Sequence, residues 1–272
     1  MKFGIVMPPD DIQGVVNFAV TAEQAGWDGF FISEGMWSVD VWVCLTAAAM
    51  RTKTIRLGTL LSPLSCMRPW KLATQAATLD HLSNGRVIIS IGMGAIDTGF
   101  AEFGEVLELK TRTELVDEGL HIIKALWRGE PFEYKGKHYR LDLTSHEIKV
   151  PVPVQKPRIP IWMVAAWPRP QSMQRVLNCD GIIPIIKPKD GDERPAHPDD
   201  ILAIKDWIEV RRTETHPFDI VIEGQTPGDD PDEAQAIIHS WQEAGATWWI
   251  ESIWGDPATR ENRLRQGSPS FS

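Results

Sequence analysis

Short runs of apolar and β-branched residues recur eight times along the chain, and longer amphipathic stretches separate them. Most of these runs are nearly continuous in apolar residues, which is typical of parallel strands covered on both faces. The eight runs are FGIVM from Phe3, GFFIS from Gly29, TIRLGTLL from Thr54, RVIISI from Arg86, IPIWMV from Ile159, GIIPII from Gly181, FDIVIE from Phe218 and TWWIES from Thr247. The pattern therefore predicts eight parallel strands.

The stretches between the predicted strands carry helix signals at both ends. In DPDEAQAIIHSWQEAG, Asp230 suits the N-cap, Pro231 the first helical position and Gly245 the C-terminal turn. Comparable signals predict helices from about Asp11 to Ala25, from Arg68 to Asn84-Gly85 and from Thr111 to Gly129.

Strand and helix alternating eight times in order indicate an α/β protein, either a doubly wound sheet or a closed barrel. The count of eight, without a visible division into halves, favours a single (β/α)8 TIM barrel over residues 1–272, since such barrels need about 250 residues. Two insertions interrupt the repeat. Residues 131–157, after helix 4, contain a predicted hairpin (YKGKHYRL) and a proline-rich excursion, and residues 187–198, after strand 6, form a predicted mobile loop.

Charge and composition narrow the classes of partner. The formal net charge of -9 argues against nucleic-acid binding. No apolar run approaches the roughly 20 residues of a membrane span, and a first strand beginning at Lys2 leaves no room for a signal peptide. We therefore expect a cytoplasmic protein without a membrane or nucleic-acid partner.

Cysteine and histidine spacing gives no sign of a metal site. Cys44, Cys66 and Cys179 lie far apart without a C-x-x-C pair, and the seven histidines show no H-x-H or H-E-x-x-H spacing. We expect reduced thiols and no bound metal.

The loops that follow the strands are the expected place for chemistry, because barrel enzymes build their sites there. Glu34, after the second strand, is the strongest catalytic candidate, and an ion pair with Arg68 or Lys71 is the structural alternative. Lys187, after the sixth strand, could form a Schiff base or bind an anionic substrate, and an ordinary solvent-exposed lysine is the alternative. The Gly92-Met93-Gly94 stretch does not complete G-x-G-x-x-G, since residue 97 is Asp.

Four stretches of the chain resemble the luciferase-like flavin monooxygenases and their deazaflavin-dependent relatives. They lie in order between Ile55 and Pro184, close to half of the chain, and LDHLSNGRVIISIGMG is the most specific of the matches. The stretches are TIRLGTLLSPL, RPWKLATQAATLDHLSNGRVIISIGMGA, EFGE with TRTELVDEGLHIIKALWRGEPFEYKGKHY, and VQKPRIPIWMVAAWP with CDGIIP.

The resemblance implies a flavin lying across the barrel mouth, with a non-prolyl cis peptide at Leu60-Leu61 beneath its ring. Its phosphate would be held by backbone N–H groups after the fifth strand, where Ala165 and Ala166 replace a glycine pair common in the family and Arg169 adds charge. The implied cofactor-binding residues are Met7, Leu60, Leu61, Ser62, Gly92, Met93, Gly94, Ala165, Ala166, Trp167, Arg169 and Ser172, and the predicted substrate-binding residues are Trp37 and Lys187. Trp37, Trp42 and Trp167 either wall a pocket or belong to the core.

Family members commonly place an acid followed by histidine after the second strand, and the histidine serves acid–base work. Gly35 stands at the histidine position here, so Glu34 would have to serve alone or only orient other groups.

The sequence thus predicts a flavin-dependent oxidoreductase, first a monooxygenase using reduced FMN and O₂ on a small organic substrate. Hydride transfer with the deazaflavin coenzyme F420 is the alternative. A non-catalytic flavin-binding relative and a cofactor-independent aldolase or hydrolase are further alternatives. The resemblance also implies a flavin reductase partner and a homodimer, formed through apolar helix faces such as those carrying Leu115 and Trp127.

Overall fold

Eight parallel strands close into a barrel with helices on its outer side. The computed structural model describes residues 1–8, 12–36, 38–144 and 151–269. The strands are β1 (Lys2–Met7), β2 (Gly29–Ile32), β3 (Arg56–Thr59), β4 (Ser62–Pro63), β5 (Val87–Gly92), β6 (Glu133–Lys135), β7 (Arg140–Asp142), β8 (Ile161–Trp167), β9 (Gly181–Ile186), β10 (Asp219–Gly224) and β11 (Trp248–Ser252). The barrel order is β1, β2, β3, β5, β8, β9, β10 and β11, which pairs again with β1. The predicted (β/α)8 barrel is confirmed.

The helices of the described chain follow the predicted caps closely. They are α1 (Val15–Gln24), α2 (Val41–Ala49), α3 (Pro69–Leu82), α4 (Leu109–Arg128), α5 (Pro170–Val176), α6 (Pro198–Arg211), α7 (Pro231–Glu243) and α8 (Pro257–Gln266). The Asp230 carboxylate accepts from the backbone N–H of Glu233 at 3.0 Å, and Gly129 ends α4 at φ +70°.

Two predicted helix starts were wrong. The first described helix begins at Val15 rather than about Asp11, a residue outside the described ranges. Helix α4 begins before Thr111, because the Glu108 side chain accepts from the backbone N–H groups of Lys110 and Thr111 and so acts as the N-cap.

The predicted third strand, residues 54–61, is interrupted. Gly58 pairs with Ile88 of β5 and Ser62 pairs with Ile91, so three residues on one strand face two on the other. This extra residue is a β-bulge, and the Leu60-Leu61 peptide within it is cis, as the resemblance implies. Strand β4 continues β3 beyond the bulge.

Aromatic side chains fill the amino-terminal half of the barrel interior. Phe31, Trp162 and Trp248 pack with ring centroids 5.3 and 5.2 Å apart, and all three are buried. Inward residues alternate with outward residues that pack under the helices, as in other barrels.

Both predicted insertions occur at their predicted places. Strands β6 and β7 form the antiparallel hairpin, and the Glu118 carboxylate accepts from the backbone N–H groups of residues 137–139. The loop 187–198 is anchored where Arg194 donates its backbone N–H to the Ile186 carbonyl at 3.1 Å. Its mobility stays a prediction.

The two side chains suggested for dimerisation differ in exposure. Trp127 is buried and its indole N–H donates to the Ala73 carbonyl of α3, while Leu115 packs partly into the core. Trp127 is therefore not available to a partner, whereas Leu115 is partly exposed, and the dimer itself stays a prediction. Among the described residues, no helix is long and apolar enough to cross a membrane.

Candidate active site

Glu34 follows β2 and is joined to the bulge by a short hydrogen bond. The Ser62 hydroxyl donates to Glu34 Oε2 at 2.6 Å and lies 3.0 Å from Thr59 Oγ1. Desolvation raises the pKa of Glu34 to about 7, and the negative charge of Asp40 adds to the rise, while the Ser62 bond acts in the opposite direction. The carboxyl group therefore changes its charge near neutral pH.

Glu34 faces away from the barrel interior. The inward side chain of β2 is Phe31 and the next inward position is residue 33, so alternation directs Glu34 outward. It borders a cavity of about 390 Å³ between α2 and α3, which Trp42 and Gln75 also line. Within the described chain, neither predicted alternative partner, Arg68 or Lys71, forms an ion pair with Glu34, although both border this cavity.

The segment after Glu34 closes on itself. The Gly35 backbone N–H donates to Ser38 Oγ at 3.1 Å, and the same hydroxyl donates to the Gly35 carbonyl at 3.0 Å. Trp42 is buried in the core and also borders the cavity between α2 and α3. Trp37 lies outside the described residues, and its role stays a prediction.

The bulge directs two successive side chains into the barrel. Leu60 belongs to the buried interior cluster, while half-buried Leu61 lies over Gly92. A Cβ at Gly92 would lie 2.9 Å from Leu61 Cδ2 and 3.4 Å from Val164 Cβ. The room left by this glycine is therefore taken by Leu61.

Arg112 of α4 holds the glycine loop in place. Its buried guanidinium donates to the Met93 carbonyl at 2.8 Å and to the Gly94 carbonyl. Gly94 has φ +75°, and a Cβ there would lie 2.7 Å from Pro63 and 2.8 Å from Phe100. Sequence reasoning missed Arg112, because an arginine inside an amphipathic helix gives no signal of burial.

The groups at the end of β8 that were predicted to bind a phosphate already form some hydrogen bonds within the protein. The Ala166 backbone N–H donates to Ser172 Oγ at 2.9 Å, and Arg169 donates to the Pro188 carbonyl at 2.9 Å. Ala165 faces outward and is buried, and Trp167 packs edge-on against Trp207 of α6. Only one N–H of the half-buried Arg169 guanidinium is used within the described chain.

Two further predicted residues lie apart from the barrel mouth or on its rim. Met7 is buried in the layer between the strands and the helices. Lys187 is exposed just beyond β9, unlike the desolvated lysine that Schiff-base chemistry requires. The structure therefore gives the aldolase alternative no support.

Half-buried apolar side chains form an open surface inside the mouth. They extend from the bulge across β8 to β9 and lie above the closed aromatic interior. This apolar platform consists of Leu61, Val164, Ala166 and Ile185, all inward-facing.

Glu223, near the end of β10, is a mouth residue that sequence reasoning missed. Val221 belongs to the interior cluster and Ile220 and Ile222 to the outer layer, so alternation directs Glu223 inward. Its side chain is exposed to solvent at the mouth, and desolvation by the surrounding barrel wall raises its pKa. No hydrogen bond or ion pair joins Glu223 to another described residue. A carboxylate ending an otherwise apolar strand was the available signal.

A separate ionic cluster lies at the amino end of β9. Asp180, Glu214 and His216 place ligand atoms within 4.8 Å of one another. Arg158 donates two hydrogen bonds to Asp180, and His216 Nε2 lies 2.7 Å from the same carboxylate. These charges already satisfy one another, so the cluster is a structural ion-pair network.

Comparison with known proteins gives one family and several structural neighbours. The family model described as luciferase-like monooxygenase matches residues 1–263. The chain is 32% identical over 201 residues, 68% of this chain and 55% of the relative, to a Mycobacterium tuberculosis protein provisionally named a coenzyme F420-dependent oxidoreductase. The chain spans about half the length of the curated relatives it matches.

Solved structures with low sequence identity share the fold. The coenzyme F420-dependent tetrahydromethanopterin reductase of Methanopyrus kandleri has a TM-score of 0.76 and 19% identity, covering 97% of this chain and 96% of that one. The oxygenating constituent of 3,6-diketocamphane monooxygenase of Pseudomonas putida, in complex with FMN, has a TM-score of 0.75 and 18% identity, covering 98% and 96%.

Proposed function

The chain belongs to the luciferase-like monooxygenase family, and we propose that it is an oxidoreductase binding a flavin-type cofactor at the carboxyl ends of its barrel strands. Coenzyme F420 is the first candidate and FMN the second. The apolar platform inside the mouth is the observation that carries this proposal.

The platform suits a flat aromatic ring. Leu61, Val164, Ala166 and Ile185 are half-buried and inward-facing, whereas the interior beneath them is closed by Phe31, Trp162 and Trp248. A planar ring resting on these four side chains would cover apolar surface that water now contacts, at about 25 cal/mol per Å². The residues present therefore fit the ring of a flavin or a deazaflavin.

Positive charge on the adjacent rim suits the anionic tail of either cofactor. Arg169 and Lys187 follow β8 and β9, the strands that supply three of the four platform residues. Neither side chain forms an ion pair with a described residue, so both charges are available to a phosphate.

The relative of higher identity favours coenzyme F420 over FMN, which changes the order of the two cofactors from that expected from sequence. That relative is 32% identical and carries F420 in its name, whereas the FMN-bound neighbour is 18% identical and supports the fold alone. When bound, such a cofactor supplies hydride chemistry, and the protein supplies binding and exclusion of water.

Glu34 acts as a positioning residue in this proposal. It faces α2 and α3 rather than the mouth, and it holds Ser62 and therefore the second half of the bulge. Its carboxyl changes charge near pH 7, so the Ser62 bond is expected to strengthen as the pH rises, while the cost of desolvating the charge lowers the overall stability.

The test is a titration of the purified chain with F420 and with FMN, followed by tryptophan fluorescence and by the visible cofactor band. We expect F420 to bind at micromolar concentration and Arg169→Gln to weaken that binding severalfold. Arg265→Gln, which changes an exposed arginine paired with Glu261 on α8, is the matched control. Binding of neither cofactor, with both spectra unperturbed, would overturn the proposal.

FMN with O₂ is the second candidate because the family description names monooxygenases. A flavin reductase partner would then supply reduced FMN. Faster O₂ consumption by reduced FMN in the presence of the chain would favour this candidate, and tight binding without turnover of either cofactor would favour a non-catalytic relative.

A further inference from the structure

The barrel wall is open between β9 and β10 at its carboxyl end. The two strands pair at Gly181 with Asp219 and at Ile182 with Ile220, and the described pairing stops there. Strand β10 continues beside β11 to Gly224, so the gap lies on one side of β10.

Pro184 accounts for the loss of pairing. The Asp180 carbonyl accepts from the backbone N–H of Asp219 on β10, whereas the Lys187 N–H donates to Trp167 of β8. Backbone groups alternate in direction along a strand, so those of the even-numbered residues of β9 point towards β10. Pro184 has no N–H to donate in that direction. Two residues further, the backbone of Arg194 pairs with Ile186 and occupies the place where β10 would pair.

The gap forms a slot of about 190 Å³. This volume corresponds to about six water molecules in the liquid, which is enough for a short chain or a small ring. Its strand walls are apolar, from Ile183 and Ile185 on one strand to Val221 on the other. The following loop borders its outer side with Ala196 and with the charged residues Glu193 and Arg194. Glu223 also lines this slot.

Among the described residues, none forms an ion pair with the carboxyl of Glu223. Arg194 borders the same slot, but its guanidinium forms two 2.8 Å hydrogen bonds with Asp200. A carboxylate that lines the slot and has no cation partner among the described residues favours a ligand group that donates a hydrogen bond, and it repels a second carboxylate or a phosphate.

We propose that the slot between β9 and β10 binds an apolar part of the substrate that ends in an uncharged or cationic hydrogen-bond donor, a hydroxyl or an ammonium, which Glu223 accepts. This inference deepens the proposed function and rests on it, because it assigns the substrate side of the same mouth. The cofactor's anionic tail has its cations on the rim at Arg169 and Lys187, outside the slot.

Three probes that share one ring test the preference: cyclohexylamine, cyclohexanol and cyclohexanecarboxylate at pH 7.5. Their binding to the full chain is measured by ligand-observed NMR. We expect the amine and the alcohol to bind at least tenfold more tightly than the carboxylate. Equal binding of all three would overturn the inference.

Variants separate the two donor types. An ammonium preference predicts a tenfold loss of amine binding in Glu223→Gln, whereas a hydroxyl preference predicts that alcohol binding survives Glu223→Gln and is lost in Glu223→Leu. Glu209→Gln, at an exposed position on α6, is the matched control and should behave as the unmodified chain. Glu223 variants that match this control would overturn the inference.

Two further measurements locate the binding and keep the two proposals apart. Ala196→Trp fills the outer side of the slot and should abolish binding of the amine and the alcohol, and unchanged binding would place the probes elsewhere and contradict the inference. F420 and FMN titrations of the same samples show which of the two proposals fails. Cofactor binding without a preference for the amine and the alcohol over the carboxylate overturns this inference alone. Head-group preference without cofactor binding overturns the proposed function, and it leaves the slot assignment supported.

Discussion

The β3–β5 side of the barrel mouth is closed by hydrogen bonds, whereas the β9–β10 side is open. On the closed side, one extra residue is absorbed as a bulge, and Glu34 is joined through Ser62 to Thr59. On the open side, pairing ends after two residue pairs, and Glu223 has no partner in the described chain.

Both sides carry a glutamate near a strand end, and desolvation raises the pKa of each. Glu34 faces the helices and is held by the protein, while Glu223 faces the mouth and is open to a ligand. The same residue type at equivalent ends of the barrel therefore serves different purposes, because the packing around it differs.

Crowding of the closed side gives the largest expected effect. A Cβ at Gly58 would lie 2.1 Å from the Ile88 carbonyl oxygen, a backbone atom, so Gly58→Ala should lower the free energy of unfolding by about 3 kcal/mol. Gly191→Ala on the open side has its nearest atom, Pro188 Cβ, at 3.9 Å and should change it by less than about 0.5 kcal/mol. Urea unfolding measures both, and equal losses would remove the distinction between the sides.

The pH dependence of stability gives the next largest effect. The pKa of Glu34 is about 7 instead of 4.5, so its contribution to stability is full below pH 4.5 and is lost as the pH rises through 7. The free energy of unfolding of Glu34→Gln, compared with that of the unmodified chain, should therefore rise by about 2 kcal/mol between pH 5 and pH 8. This gain is smaller than that expected for a fully buried carboxyl group.

Glu223→Gln is the matched test on the open side. The pKa of Glu223 is also raised, so the sign is the same, but solvent screens this accessible group and the gain should stay below about 1 kcal/mol. Unfolding at the two pH values measures both variants. A larger gain for Glu223 than for Glu34 would contradict the comparison.

Removing the hydroxyl that closes the bulge should have a smaller effect than Glu34→Gln. Ser62→Ala deletes the donor to Glu34 Oε2, which should cost about 1.5 kcal/mol at pH 8 and raise the pKa of Glu34 further. Carboxyl ¹³C NMR titration measures the pKa, with Ser240→Ala on the exposed face of α7 as the control. A fall in the Glu34 pKa would show that Ser62 does not stabilise the carboxylate.

A rim substitution on the open side should have the smallest effect on stability. Lys187→Gln should change the free energy of unfolding by less than about 0.5 kcal/mol, because the side chain is exposed and unpaired in the described chain. Cofactor affinity should fall about threefold, with the difference shrinking at high salt. A loss of stability above 1 kcal/mol would indicate a structural role.

Much of the fold could be predicted from local signals. The eight apolar runs became the eight barrel strands, since strands covered on both faces need continuous apolar residues, and the Asp230 and Gly129 caps lie where the sequence places them. The start of α4 was missed because Glu108, an uncommon N-cap residue, gave a weak signal.

The site was predicted less completely. Ser62, Leu60 and Leu61 gather at the bulge, and Arg169 and Lys187 lie on the rim, but Met7 is buried away from the mouth and Glu34 faces outward. Glu223 and Arg112 were missed, because each looks like an ordinary charged residue until its neighbours are known.

The sequence by itself determined the alternation of strands and helices, the caps and the family, because these depend on residues close together along the chain or on motifs in a fixed order. The tertiary structure alone decided which carboxyl group faces the mouth. Alternation along β2 and β10 sets that outcome, because the closed barrel decides which face of each strand points inward. Side-chain direction in a strand reverses at every residue, and a single added residue shifts it again, so the groups that reach the mouth depend on how the strands pack together.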